Sequence, residues 1–258
     1  MRCSADELRA LGGVAGIRLP RFVTAGRTGR ESAAVDAAAL RGLAARELVT
    51  LLPEVRLTPR LTSLFAPCVD PELVTEIEIE SGGEVSRSGV VGSLRFIERP
   101  AGLVDVELAD GDVPTLLGID DLVDGGGDLA LRVGTDDYLA ADDLVTEGAY
   151  AVAVRLLVVA GATEAAAQGW IDAVRGRRRT VSFALARDLG GRYVAVELCW
   201  VVAPDGTAWQ VSTDPVGGSV PDWDVDDDPP AVTTVQQVTP QALRDTLAQV
   251  LVPAEVLT

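Results

Sequence analysis

The chain has 258 residues and a formal net charge of -17, and histidine, lysine and asparagine are all missing from it. A chain this long can form one large domain or two modest ones burying about three quarters of the unfolded surface, so no disulfide is needed to hold a core. The charge disfavours a nucleic-acid partner and discourages self-association, predicting a monomer or weak homodimer when unbound, and the missing histidine and lysine remove triad chemistry, imidazole metal ligands, Schiff bases and Walker-type phosphate anchors.

Cys3, Cys68 and Cys199 are an odd number, lie far apart and form no CxxC pair, which suits buried or idle thiols in a reducing compartment. The N-terminus does not read as a secretory leader. The apolar run Ala149–Ala160 is interrupted by Arg155 and is shorter than the roughly 20 residues a membrane helix needs. A cytoplasmic protein without membrane insertion is the expectation.

In chain order, Val35, Ala39, Leu40, Leu43 and Leu48 follow a helical period and predict a helix over Ser32–Val49. A shorter one is expected at Thr58–Ala66, broken by Pro67 and Pro71. Glu76 to Glu80 alternate Glu and Ile strictly, the pattern of a half-buried strand. Ser81, Gly82 and Gly83 turn it toward a strand near Gly89–Ile97, then one with Val104, Val106 and Leu108, then a helix over Pro114–Leu122.

The stretch Asp124–Asp143 reads as an acidic, Gly-rich linker, exposed and mobile, followed by a helix near Tyr150–Val159. The second half repeats the order. A helix at Ala165–Val174 leads to a strand with Val181, Phe183 and Leu185. Gly190 and Gly191 turn it into one with Val194, Val196, Leu198 and Trp200, and Asp205-Gly206 opens a third with Trp209 and Val211. A final helix starts at Thr239-Pro240, buries Leu243, Leu247, Val250 and Leu251, and stops before Pro253. The implied fold class is α+β, with two quasi-symmetric halves that each hold a three-stranded antiparallel meander with flanking helices. The expected divisions are 1–125, a linker with connecting helix at 126–160, and 161–258, as separate halves or one compact domain.

Carboxylates cluster most densely at Asp222, Asp224, Asp226, Asp227 and Asp228. Counted as a calcium loop from Asp222, position 6 is Asp227 instead of Gly and position 12 is Thr233 instead of Glu, so the register fails. A solvated, mobile acidic loop before Pro229 and Pro230 is expected, with no metal and no cofactor. Arg175, Arg177, Arg178 and Arg179 suit either an anion site or a helix C-terminus whose dipole favours cations, and the helical pattern just before them favours the latter. Trp200 and Trp209 suit either a core or a binding surface.

Three stretches carry a resemblance. AAALRGLAARELVTLLPEVRLTPRLTSLFAPCVDP (Ala37–Pro71), GRRRTVSFALARDLGGRYVAVELCWVVAPDGTAWQVSTDP (Gly176–Pro215) and VTPQALRDTLAQVL (Val238–Leu251) resemble segments of the EspG family, cytosolic chaperones of type VII secretion. The chain departs from that family at Glu47, where Gly is usual, and at Thr207-Ala208, where Gly-Arg is usual. The resemblance implies a central sheet shared by the two halves, no enzymatic activity and no cofactor. It also implies a PE/PPE-like helical secreted partner, kept soluble and targeted for secretion. The partner surface it implies is the strand Tyr193–Val202 with Val194, Val196, Leu198 and Trp200, the helix Pro240–Leu251 with Leu243 and Leu247, and a polar loop of Ser81, Gly82, Gly83, Glu84, Val85, Ser86 and Arg87 that orders on binding. The competing readings are an immunity-type or scaffold protein for an unrelated partner, and a carboxylate-based hydrolase.

Overall fold

The structure, a computed structural model, describes residues 1–25, 30–110, 113–188, 193–215 and 231–251. The chain opens with β1 (Arg2–Ser4) and α1 (Ala5–Ala15). Ser4 starts the helix with a capping box: the Glu7 N–H donates to its hydroxyl at 3.1 Å, and the Ser4 N–H donates to the Glu7 carboxylate at 2.9 Å. Then come α2 (Arg21–Thr24), α3 (Arg30–Ala45), the small pair β2 (Val49–Thr50) and β3 (Arg56–Leu57), and α4 (Pro59–Phe65). A meander comes next, of β4 (Leu73–Ser81), β5 (Glu84–Val91), β6 (Leu94–Arg99) and β7 (Leu103–Leu108), closed by α5 (Val113–Leu116) and a 3₁₀ turn at Ile119–Asp121.

The second repeat has the same grammar. It runs β8 (Ala130–Gly134), α6 (Thr135–Thr146), α7 (Tyr150–Val159), α8 (Glu164–Arg175), then β9 (Arg179–Asp188), β10 (Tyr193–Val202), β11 (Ala208–Pro215) and β12 (Ala231–Val238), and ends on α9 (Pro240–Leu251). The hydrogen-bonded order is β1-β7-β6-β5-β4-β9-β10-β11-β12-β8. At either end of the sheet, a short leading strand lies beside the last strand of its own meander: Cys3 pairs with Val104, and Val133 with Thr233.

The α+β class, the antiparallel sheet and the quasi-symmetric meanders are as the sequence implies, but each meander has one strand more than the pattern resolves. Gly89–Ile97 is not one strand: Gly92, at φ +57°, turns the chain back and splits it into β5 and β6. β12 comes after the acidic run and is rich in Thr and Gln, so no apolar alternation announces it. The expected helix Pro114–Leu122 is broken by Gly118 at φ +64°. The stretch Asp124–Asp143 is not a linker throughout, since it holds β8 and most of α6, with Leu131, Val133 and Ala141 buried. The acidic run Asp222–Pro230 lies outside the described residues, as do Gly190 and Gly191.

By packing, the chain divides into two compact units: Met1–Glu78, Val85–Gly111 and Phe183–Glu197 in the first, and Ile79–Glu84, Asp112–Ser182 and Leu198–Thr258 in the second. The core of the first sets Leu8 and Leu11 of α1, Leu43 of α3, and Leu61 and Phe65 of α4 with Leu94, Phe96, Val104 and Val106 of the sheet. Each such side chain contributes about 1.5–3 kcal/mol on burial. The opposite register of β6 and β7 carries ion pairs: Asp105 meets Arg2 at 2.7 Å and Arg99 at 2.8 Å. In the second unit Leu157, Trp170 and Ile171 pack with Leu131, Val201, Trp209 and Val235, and the Trp170 and Trp209 ring centroids lie 6.1 Å apart.

Helix α3 ends short of the expected Val49. The Leu48 N–H donates to the Leu43 carbonyl at 3.0 Å and the Glu47 N–H to the Ala44 carbonyl at 2.9 Å, a Schellman termination with Glu47 in the left-handed position at φ +59°. That position favours glycine, and glutamate is strained there. Glu47→Gly should therefore raise stability by about 1 kcal/mol. Gly92→Ala should lower it by about 2 kcal/mol or more, because its Cβ would collide with the Pro67 carbonyl at a left-handed φ. Thermal or urea unfolding of both variants checks the opposite signs.

Candidate functional site

Successive side chains of a strand point to opposite faces. In β9 the register Val181, Phe183, Leu185 is buried, while on the alternate register Ser182 is exposed and Ala184 and Ala186 are half-buried; in β10 Leu198, Trp200 and Val202 are buried, while Ala195 and Glu197 are exposed. Trp200 is 0 % exposed, and Leu243 and Leu247 of α9 are each 1 % exposed. Leu198, Trp200, Leu243 and Leu247 are thus core side chains. Val196 is half-buried, and the side chain of Val194 lies outside the described residues. Trp209 is also core, in the second unit.

Ser81–Arg87 is not a loop. Gly82 and Gly83, at φ +60° and +81°, form the two-residue turn of a tight hairpin, and Glu84–Arg87 already belong to β5. The Ser81 hydroxyl donates to the Arg178 carbonyl at 3.0 Å. Arg87 spans two strands, donating to Glu78 at 2.6 Å and to Glu98 at 3.3 Å. Val85 is the exposed apolar side chain of the hairpin, at 45 %.

Within the first unit, the open register of β9 and β10 forms the floor of a shallow groove. Ala184, Ala186 and Ala195 make that floor, and Arg21, Glu76 and Glu197 carry its charges. The Arg21 backbone N–H donates to the Glu76 carboxylate, and its guanidinium lies 3.6 Å from Glu197. Pro20 sits over Gly89 so closely that a Cβ there would meet its Cγ at 2.9 Å, which fixes the rim to β5. The exposed Arg21–Glu197 pair contributes little to stability, so it is available to another charge. Sequence reasoning missed these residues. The signal was present in the alternation of Phe183, Ala184, Leu185 and Ala186.

Catalytic readings find little in the carboxylates. Asp105 is held well below the usual carboxylate range by hydrogen bonds from Arg2 and Arg99, and Asp205 is lowered chiefly by the Thr207 N–H. Both shifts run opposite to that of a general acid. The tie from Asp105 to β1 is therefore fully present above about pH 4 and is lost as the pH falls toward its depressed folded value. Cys3 and Cys68 are buried, and burial pushes the Cys68 thiol up to about 11, away from the reactive thiolate. Among the described residues no three His, Cys, Asp or Glu gather as a metal site, and no helix is long and apolar enough to cross a membrane. Three of the four clustered arginine side chains are engaged: Arg175 over the Tyr150 ring at 4.6 Å, Arg177 near Glu80 at 3.7 Å, and Arg179 donating to the Gly118 carbonyl at 2.6 Å.

Two substitutions on one strand separate core from surface. Trp200→Ala should cost about 3–5 kcal/mol, as for large buried aromatics. Glu197→Arg should stay within about 0.5 kcal/mol of the parent, as for exposed positions. Denaturant unfolding reads both, and equal losses would overturn the register assignment.

Compared with known proteins, the chain matches no family model and no curated sequence. Among solved structures it is similar to the Mycobacterium tuberculosis type VII secretion system chaperone EspG5, determined in complex with the PE25-PPE41 dimer. The TM-score is 0.60 and the identity 12 %, over 98 % of this chain and 97 % of that one. The fold is therefore that of EspG5 along nearly its whole length, reached with few shared residues.

Proposed function

We propose that the chain is a cytoplasmic chaperone of a type VII secretion system, holding a helical PE/PPE-like protein soluble and marking it for export. The observation that carries this reading is the end-to-end match to a chaperone solved in complex with a PE-PPE dimer. Local chemistry supports it. An open strand face floored by alanines lets a partner's backbone approach closely, and charged residues around it select orientation. A carboxylate hydrolase would instead need two convergent carboxyl groups whose environments push their titration apart.

The contact surface we infer is the open register of the first unit, Ala184, Ala186, Ala195 and Glu197 with Arg21. The hairpin Ser81–Arg87 is a second, separately tested contact. On this reading Leu198, Trp200, Leu243 and Leu247 act as buried core side chains and not as contacts. Co-expression with a PE/PPE-like heterodimer from the same genome, with size-exclusion chromatography as the readout, tests it. Ala195→Arg should reduce complex formation by about tenfold or more while the melting temperature holds, a loss of about 1.4 kcal/mol or more. Unchanged complex formation by Ala195→Arg and by Val85→Arg would remove both surfaces, and the absence of any complex with the parent would remove the chaperone reading.

A further inference from the structure

We propose that a second cleft, wholly within the second unit, binds an arginine side chain of a partner polypeptide. The cleft lies where α8, the β10–β11 turn and β12 come together, and offers about 690 Å³ of empty space open to solvent. Leu129, Ala173, Pro204 and Trp209 give it an apolar lining, and Asp172 and Asp205 supply its acidic groups.

Several features fit that one occupant. Neither aspartate has an ion-pair partner among the described residues, and Arg178 acts on Asp205 only at longer range. Asp205 is fixed in place: its Oδ1 accepts from the Thr207 N–H at 2.9 Å and the Thr207 hydroxyl at 2.8 Å. Gly169 keeps the cleft shaped. A Cβ there would lie 3.2 Å from the Trp209 ring and 3.3 Å from Leu129, so a residue unfavourable in mid-helix stands where any side chain would press into the wall. An arginine satisfies both halves of the site, its methylene stem lying on the apolar lining and its planar fork meeting carboxylates. Lysine would bury the same stem but offers a point charge without the planar fork that pairs bidentately with a carboxylate. A chain carrying a net charge of -17 adds long-range attraction for a basic partner.

The test uses the whole chain and two peptides, acetyl-Leu-Arg-Leu-amide and its citrulline counterpart, with the NMR signal of the Trp209 indole N–H as the readout. The arginine peptide should shift that signal saturably, and the citrulline peptide should not. Asp172→Asn should weaken binding by about threefold, as expected for loss of one exposed ion pair, and Asp172→Glu should restore it. Asp205 is left intact because it also holds its turn. Asp172 is exposed on α8, so the variants should melt with the parent. No shift, an equal shift with citrulline, or binding indifferent to Asp172→Asn would each overturn the proposal.

Discussion

A strand in a sheet has no freedom to choose how many of its side chains face each way, and in this protein that constraint governs both the core and the open face. β4, β9 and β10 each supply backbone to both compact units. Along β9 and β10 one register is filled by Val181, Phe183, Leu185, Leu198, Trp200 and Val202, all buried. The other register carries Ser182, Ala184, Ala186, Ala195 and Glu197, and returns to the core only at Val201, in the second unit. A one-residue slip would move every one of these side chains to the opposite face, so the apolar register fixes the pairing and thereby the groups that the open face can present.

The same rule explains which parts of the fold were legible in the sequence. Elements with strong periodicity and sharp punctuation were readable, such as α7, whose bounds match its apolar run, and α9, where the Thr239 hydroxyl accepts the Ala242 N–H at 3.1 Å. Elements whose identity comes from their neighbours were not. β8 is five residues inside an acidic stretch and becomes a strand because β12 pairs with it. β1 is three residues, held by β7 and by the Arg2–Asp105–Arg99 ion pairs. Gly92 reads as one glycine inside a strand; its turn role comes from its left-handed backbone, and Pro67 beside it leaves no room for a Cβ.

The strand β10 was legible in the sequence, while which of its side chains face the core was not. The resemblance directed attention to Tyr193–Val202, and the large apolar residues there looked like anchors for a hydrophobic partner. Large apolar side chains on a central strand are claimed first by the core, however, and Trp200 is the clearest instance. The residues left over, Ala184, Ala186, Ala195 and Glu197, carry little signal by type and are identified only by the face they share. Twelve per cent identity over a shared fold fits this picture, because a core register tolerates many apolar combinations while the order of strands persists.

The way the chain is threaded through its two units has a consequence for synthesis. Residues 183–197 belong to the unit that begins at Met1, while the segment 112–182 belongs to the other. A ribosome making this protein at roughly 5–20 residues per second therefore extrudes the first unit's helices and outer strands well before their closing strands exist. During that interval β4 presents an unpaired edge with Val74, Ile77 and Ile79 beside it. A chain that must wait in this way benefits from a strong like-charge repulsion between nascent copies, and the high acidity of the sequence supplies it. The interleaving also makes the late-made β9 and β10 the gatekeepers of both units, so premature termination anywhere before them leaves no finished half.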